Sequence, residues 1–160
     1  MWYCSSRCMN TTVQSPLVMV RAEELPETMS SAEVVSLLAH EVAAQLGVDS
    51  AVVAAAALLR EESEPTYVGR GMAVPHARVS GLPLAAMYVA RCRRGIPWGG
   101  GEARLVVFTA AAEEKPEQYL QLLSAAMRWR LRFPGGEEAL LAAAAVDLSA
   151  GLRDVVCSLS

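Results

Sequence analysis

The sequence is poor in several features that would place it in a large functional class. Its 160 residues include two histidines and four cysteines, and aromatic residues make up 6% of the chain. The longest apolar run, AVVAAAALL at residues 51–59, is too short to cross a bilayer. The N-terminal stretch MWYCSSRCMNTT has no apolar core of a secretory signal. We therefore expect a cytoplasmic protein without direct membrane insertion.

The chain also lacks a basic bias and the common nucleotide-binding motifs. Its formal net charge of −3 argues against nucleic-acid binding, and the basic stretch RWRLR at 128–132 is short enough to be one face of a helix end. GRGMAV at 69–74 begins like a dinucleotide-binding loop but has Val74 at the third glycine position. There is no Walker loop and no G-x-S-x-G motif. We expect no cofactor.

The cysteines are too sparse for a metal centre. In a reducing compartment Cys4, Cys8, Cys92 and Cys157 would all be free thiols. Cys4 and Cys8 could share a helical face, but a structural zinc ion usually takes four ligands and no second cluster follows. We expect no metal site.

What the chain does contain is alternating strand and helix patterns with a large apolar fraction. The composition is 53% hydrophobic and 19% charged, which is typical of a compact domain. We predict strands at 16–20, 84–92 and 104–111, an extended stretch at 72–79, and helices at 30–47, 49–62, 115–131, 137–145 and 149–158. Residues 62–71 and 93–103 are predicted to be loops or turns. The pattern indicates one α/β domain over residues 16–160, preceded by a tail at 1–15.

Several helix features are specific enough to test. Ser30 and Glu33 form a capping box at the start of the first helix, and Gly47 ends it. His40 falls on the outer face of that helix, where a solvated surface residue is expected. In the helix at 115–131, Leu120, Leu123 and Met127 are spaced to form its apolar stripe.

The other histidine lies in an unusual setting, VGRGMAVPHARVSG at residues 68–81. Glycines flank His76 on both sides and Pro75 directly precedes it, which stiffens the backbone at the end of an apolar run. With no cysteine, carboxylate cluster or serine motif nearby, the remaining chemistry is His76 acting alone as a nucleophile. A neutral imidazole is available near pH 7 and can accept a phosphoryl group. The competing interpretation is a packed histidine at a strand end.

The stretch LLREE followed by TYVGRGMAVPHARV resembles the IIA domain of the fructose, mannitol and nitrogen-regulatory branch of the bacterial phosphotransferase system. That family has an Arg-Glu pair, a glycine-containing turn and an Ala-x-Pro-His segment. The matching positions here are Arg60, Glu61, Thr66, Val68, Gly69, Gly71, Ala73, Pro75 and His76. The interval of 16 residues between Arg60 and His76 is also that of the family. The resemblance covers residues 16–158.

This resemblance implies a mixed β-sheet flanked by helices on both faces, and a role as a phosphoryl carrier. His76 would accept phosphate from the phosphohistidine of an HPr-like protein. It would pass the phosphate to a IIB component of a sugar permease, or the phosphorylated state would serve as a nitrogen or potassium regulatory signal through a target protein. Arg60 would stabilise the phosphoryl group, and Thr66, Gly69, Gly71 and Pro75 would shape its binding site. Such a transfer needs positioning and charge stabilisation rather than a metal or nucleotide.

The sequence departs from the family where a second histidine usually lies beside the first. We place Gln118 at that position, and an amide cannot titrate. Arg70, between two glycines, is a candidate to contact the phosphoryl group and replace the missing charge. The alternative function is a regulatory binding module that keeps the fold without productive phosphotransfer.

Overall fold

The computed structural model describes residues 15–158, so most of the predicted tail at 1–15, with Cys4 and Cys8, lies outside the described residues. Five helices are present in this part of the chain. They are α1 (Ser31–Leu46), α2 (Ser50–Ser63), α3 (Pro116–Arg132), α4 (Gly136–Ala142) and α5 (Ala145–Cys157). No helix among the described residues is long and apolar enough to span a membrane.

Six strands form one mixed sheet. They are β1 (Leu17–Val20), β2 (Tyr67–Gly69), β3 (Met72–Ala73), β4 (His76–Val79), β5 (Ala86–Trp98) and β6 (Gly101–Ala112). The order across the sheet is β1-β5-β6-β3-β2, and β4 also pairs with β6. β1 is parallel to β5, β5 and β6 are antiparallel, and β3 and β4 both run parallel to β6. The predicted α/β architecture with helices on both faces is confirmed.

β3 and β4 are two parts of one extended stretch interrupted at residues 74–75. Met72 pairs with Leu105, and His76 pairs with Thr109, so the register along β6 is unchanged across the interruption. Pro75 has no N–H to donate, but its carbonyl accepts a hydrogen bond from the Thr109 N–H at 3.0 Å. The register therefore fixes the position of His76 next to a central strand.

The turn-rich stretch predicted at 93–103 is instead the far end of a long hairpin. β5 continues to Trp98 and β6 begins at Gly101, with a register irregularity between Arg91 and Ile96. The glycines and Pro97 suggested turns, but an antiparallel ribbon tolerates them at a bulge and a hairpin tip. The predicted loop at 62–71 likewise contains the end of α2 and the short strand β2.

The helices cover the two faces of the sheet and bury two apolar cores. α1 and α2 cover one face, with Leu38, Val42 and Phe108 fully buried there. α3, α4 and α5 cover the other face, around Met87, Trp129 and Leu148. Because β5 and β6 contribute alternate side chains to both cores, they are buried along most of their length.

The helix boundaries follow the local signals in most places. The capping box of Ser30 and Glu33 forms, and Gly47 ends α1 in the left-handed conformation with φ of 67°. Asp49 caps α2 by accepting a hydrogen bond from the Ala51 N–H at 2.9 Å. α2 was expected to end near Arg60 and runs on to Ser63.

The buried face of α3 differs from the predicted stripe. Leu120 is 60% exposed, and Leu123 and Met127 are only partly buried. The residues that face the core are Leu122, Ala125, Ala126 and Trp129. The stripe prediction was wrong because it counted leucine and methionine and ignored the small alanines that let the helix approach the sheet.

Candidate functional site

His76 is the first residue of β4 and lies on the face of the sheet that α3 covers. Its side chain is buried, with 7% of the residue exposed. The Nδ1 atom lies 3.4 Å from the carbonyl oxygen of Val74 and 3.4 Å from the hydroxyl oxygen of Tyr119. The tyrosine ring stacks on the imidazole with a centroid separation of 4.4 Å. Two neighbours therefore hold the ring in one orientation.

The residue that α3 places against His76 is Tyr119, where Gln118 was expected to lie beside the first histidine. One residue along a helix turns the side chain by about 100°, so an assignment off by one position moves a side chain away from the site. The Gln118 side chain forms no hydrogen bond with His76 in the described structure. The polar group that α3 places next to the His76 imidazole is the Tyr119 hydroxyl.

Burial is the largest influence on the pKa of His76, and it lowers that pKa below the ordinary 6.5. The hydrogen bond to the Val74 carbonyl opposes this shift, because it favours the protonated ring. The guanidinium groups of Arg60 and Arg78 lower the pKa of His76 further, whereas the Glu61 carboxylate raises it. The imidazole is thus kept neutral at a place where two arginine charges act on it.

Arg60 reaches this site from the last turn of α2. Its Nη1 donates a hydrogen bond to the Glu64 carbonyl at 2.8 Å, and its Nη2 lies 3.8 Å from the Glu64 carboxylate. The side chain is 36% exposed, so neither contact buries the guanidinium. Arg60 is held at a helix end with N–H donors still available to an anion.

Thr66 is occupied by a second set of contacts at the end of α2. Its N–H and hydroxyl both donate to the Glu61 carboxylate, at 2.8 and 2.6 Å, and the Trp98 indole N–H donates to the same carboxylate at 2.5 Å. The Val74 N–H donates to the Thr66 carbonyl at 3.0 Å. We refer to Glu61, Thr66 and Trp98 as the carboxylate latch. It ties α2 to the segment before β2 and to the end of β5, and Thr66 in turn contacts Val74, two residues before His76.

The structure does not bring the Gly69–Gly71 turn to His76. Gly71 pairs with the start of β6, where its carbonyl accepts hydrogen bonds from the Arg104 and Leu105 N–H groups. Five residues of extended chain separate Gly71 from His76, a distance of ~16 Å. Arg70 is exposed, and Arg130 donates a hydrogen bond to its carbonyl at the far end of α3. Arg70 therefore does not fold over His76, and the Gly71 N–H already donates to the Tyr67 hydroxyl at 3.0 Å.

Three residues near His76 were missed by sequence reasoning. One is Tyr119, and another is Arg78, which lies two positions along the same strand, so that its side chain is on the same face. Thr109 pairs with His76 on the neighbouring strand, and its buried hydroxyl has no hydrogen-bond partner among the described residues. Parallel pairing places the Thr109 and His76 side chains on one face. Only the sheet register reveals this threonine.

No group of three or more His, Cys, Asp and Glu side chains within residues 15–158 is arranged to hold a metal ion. The groups around His76 are two guanidiniums, a phenol, a hydroxyl and one carboxylate. This set suits an anion next to the imidazole more than a cation.

A family model for the phosphoenolpyruvate-dependent sugar phosphotransferase system, EIIA 2, matches residues 24–145. Among curated proteins, the transcriptional regulator ManR of Bacillus subtilis is 31% identical over 68 residues. That match covers 42% of this chain, and the chain spans about a tenth of the regulator's length.

Solved structures share the fold. The nitrogen regulatory protein IIA-Ntr from Neisseria meningitidis superposes with a TM-score of 0.67 and 20% identity, covering 85% of this chain and 92% of that chain. IIA mannitol from Escherichia coli gives a TM-score of 0.59 and 22% identity, with coverage of 87% and 94%. The complex of enzyme IIA mannitol with phosphorylated IIB mannitol from the same organism gives 0.57 and 18%, with coverage of 92% and 98%.

Proposed function

Because the chain belongs to the EIIA 2 family of the phosphoenolpyruvate-dependent sugar phosphotransferase system, we propose that it carries a phosphoryl group on His76. The observation on which this rests is the setting of the imidazole. Burial lowers its pKa and so favours the neutral ring, Tyr119 stacks on it, and two arginine charges act on it. Each of these properties has a consequence for the chemistry.

The hydrogen bond to Val74 selects the nucleophilic nitrogen. A backbone carbonyl can only accept a hydrogen bond, so the tautomer with a proton on Nδ1 is favoured. The proton on Nδ1 leaves the lone pair on Nε2. We assign Nε2 as the atom that attacks phosphorus.

The lowered pKa of His76 keeps that lone pair available. Burial disfavours the imidazolium, so the free base persists to lower pH than in an exposed histidine. In the proposed step the P–N bond of a donor phosphohistidine breaks as a P–Nε2 bond forms, and the electron pair of the broken bond stays on the donor nitrogen. Water takes no part. The onward transfer is the same exchange with a new acceptor.

The phosphoryl group adds about 1.5 to 2 negative charges near neutral pH. Arg60 and Arg78 are the cations close enough to act electrostatically on His76. Arginine suits this task because its planar donors pair with phosphoryl oxygens in a bidentate way. The Thr109 hydroxyl and the Tyr119 phenol add neutral donors on the same face of the sheet.

The partners follow from the family and from one neighbouring structure. The donor is an HPr-like phosphocarrier protein, and the acceptor is a IIB component of a sugar permease or a regulatory target protein. The Escherichia coli complex joins IIA mannitol to phosphorylated IIB mannitol, which supports a IIB acceptor. Similarity to part of a transcriptional regulator supports a regulatory role instead. Leu59 and Leu120, exposed by 69% and 60%, flank Arg60 and Tyr119 in sequence and offer apolar surface for a partner.

The test uses the only other histidine as its matched control. The protein is incubated with a phosphorylated HPr-type donor and its intact mass is measured before and after acid treatment. Wild type and His40→Ala should gain one acid-labile phosphoryl group, and His76→Ala should gain none. Equal labelling of His76→Ala and wild type would refute the assignment.

One observation favours the alternative of a binding module without phosphotransfer. Tyr119 stacks on the imidazole, and only 7% of His76 is exposed. This burial limits the room that a donor phosphohistidine has to approach the ring. Wild type that stays unlabelled while still binding the donor protein would establish this alternative.

A further inference from the structure

A cleft of about 180 Å³ lies on the opposite end of α3 from His76. The β2–β3 turn, the start of β6, the end of α3 and the helix α4 enclose it. We call it the arginine cleft; its main lining residues are Arg70, Arg104, Arg130, Glu137, Leu105 and Leu140. Leu105 and Leu140 are 3% and 1% exposed, so they form an apolar floor below a rim of three guanidinium groups.

The positive charge on this rim is only partly compensated. Arg104 lies 3.4 Å from the Glu137 carboxylate and 3.5 Å from that of Glu138, both longer than a well-formed ion pair. Arg70 and Arg130 have no carboxylate within 4.0 Å in the described part of the chain. Arg130 donates a hydrogen bond to the Arg70 carbonyl, which holds the two arginines together.

The backbone at Arg70 is strained. Its φ is +50°, and among the described residues it is the one non-glycine residue with positive φ. The left-handed conformation favours glycine or asparagine, and long side chains rarely adopt it outside functional sites. The Arg70 guanidinium has no hydrogen-bond partner within residues 15–158, so its charge is open to a ligand in the cleft.

We propose that the arginine cleft binds a phosphate monoester of a small molecule. Two uncompensated guanidiniums match the charge of about −1.5 to −2 that a phosphate monoester carries near neutral pH. Arginine pairs with phosphate oxygens in a bidentate way. The leucine floor accommodates a short organic group. The volume lies below the ~300 Å³ at which pockets for drug-sized ligands begin, so the ligand has few atoms beyond its phosphate.

The carboxylates beside the cleft argue against an extended polyanion. Glu137 and Glu138 are 45% and 84% exposed and would face the backbone of a nucleic acid or the headgroups of a membrane. A small ligand that enters between Arg70 and Arg130 avoids Glu138 and meets Glu137 as the one carboxylate of the cleft lining. The cleft lies ~16 Å from His76 along the strand, so this site does not depend on phosphorylation of His76.

The test is calorimetric titration of the whole protein with phenyl phosphate, with inorganic phosphate and phenol as the two halves of the probe. Phenyl phosphate should saturate one site and bind more tightly than inorganic phosphate, and phenol should not bind. Arg70→Gly should bind phenyl phosphate at least about tenfold more weakly. Because glycine favours positive φ, this variant should fold as well as wild type, and its thermal unfolding verifies that.

Matched variants locate the site. Arg128→Ala removes an exposed arginine of the same helix that does not line the cleft, and it should bind within twofold of wild type. Glu137→Gln removes a competing carboxylate and should tighten binding several-fold. His76→Ala should bind as wild type does, which separates this proposal from the one for His76.

Three results would overturn the proposal. One is unchanged affinity in Arg70→Gly. Another is loss of phenyl phosphate binding in His76→Ala, which would place the ligand at the other site. The third is saturable binding of a short DNA duplex or of phosphatidylglycerol vesicles with no binding of phenyl phosphate.

Discussion

The contact between Tyr119 and His76 helps to bury the candidate nucleophile. The stacked ring contributes to burying the imidazole, and burial is the main reason that the pKa of His76 is lowered. The same burial raises the pKa of the Tyr119 phenol, so the phenol stays protonated and can donate a hydrogen bond. A histidine in the same place could carry a charge of its own near neutral pH. Because the Tyr119 phenol stays uncharged near neutral pH, it adds no charge beside His76 that changes with pH.

Replacement of Tyr119 should therefore raise the pKa of His76. Tyr119→Ala opens one face of the ring to water and should move the pKa back toward 6.5. Tyr119→Phe keeps the stack and should shift it less. Proton NMR of the His76 imidazole C–H signals during a pH titration measures both shifts. An unchanged His76 titration in Tyr119→Ala would show that the ring does not control its burial.

Arg60 should matter more for labelling than for stability. Its contacts are with Glu64 at a half-exposed helix end, so Arg60→Ala should reduce the free energy of unfolding by about 1 kcal/mol or less. Phosphoryl transfer to His76 should slow by about tenfold or more, because a charge-assisted contact is lost. The control is Arg128→Ala, which makes the same charge change away from the site. Normal labelling with a large loss of stability would mean that Arg60 is structural.

At the scale of elements, the carboxylate latch joins three parts of the fold. Glu61 on α2 accepts hydrogen bonds from Thr66 before β2 and from Trp98 at the end of β5. Thr66 and Trp98 are 5% and 3% exposed, so water cannot easily replace the carboxylate. The family resemblance suggested that Thr66 binds the phosphoryl group. In the structure the Thr66 hydroxyl donates a hydrogen bond to the Glu61 carboxylate. A phosphoryl contact for Thr66 therefore stays a prediction.

Loss of Glu61 should destabilise the protein. Glu61→Ala leaves the Thr66 hydroxyl and the Trp98 indole N–H buried without acceptors, at about 1–3 kcal/mol for each unsatisfied group. We expect the free energy of unfolding to fall by about 2 kcal/mol or more in urea titrations. Glu62→Ala, at an exposed neighbouring position, should change it by less than about 0.5 kcal/mol. Similar stability of the two variants would show that the latch contributes little.

Local signals predicted some elements well and failed at others for identifiable reasons. The capping box at Ser30 and the left-handed Gly47 are short-range features, and both were predicted correctly. The phase of α3 is a long-range feature, because packing on the sheet decides which side is buried. That is why Leu120 was expected inside and why Gln118 was placed where Tyr119 lies. Thr109 enters the site through strand register alone, which no local pattern encodes.

At the scale of the whole molecule, α3 connects two separate groups of charged side chains. Its first turns carry Tyr119 beside His76, and its last turns carry Arg130 beside Arg70. The two contacts are 11 residues apart along α3, which corresponds to ~16 Å. Sequence reasoning combined both groups into one site, since Arg70 is only six residues from His76. Because the chain between them is extended, Arg70 and His76 lie far apart in space although they are close in sequence.

The buried His76 should also give the whole domain a pH-dependent stability. Its pKa is lowered in the folded state, so the unfolded chain binds more protons between that value and an unfolded pKa of about 6.5. The contribution of His76 is therefore complete above pH ~6.5 and is lost as the pH falls through the lowered folded pKa. Urea unfolding at a series of pH values should show wild type losing stability over this window.

Comparison with His76→Gln isolates that contribution from the carboxylates that titrate at lower pH. Glutamine retains hydrogen-bonding groups but has no charge to bury, so the free energy of unfolding of this variant should depend less on pH below 6.5. Its absolute stability is not the measure, since the replaced ring also packs against Tyr119. The informative quantity is the free energy of unfolding of wild type minus that of His76→Gln, which should decrease as the pH falls. A difference that is constant across the window would mean that His76 has the same pKa in the folded and the unfolded protein.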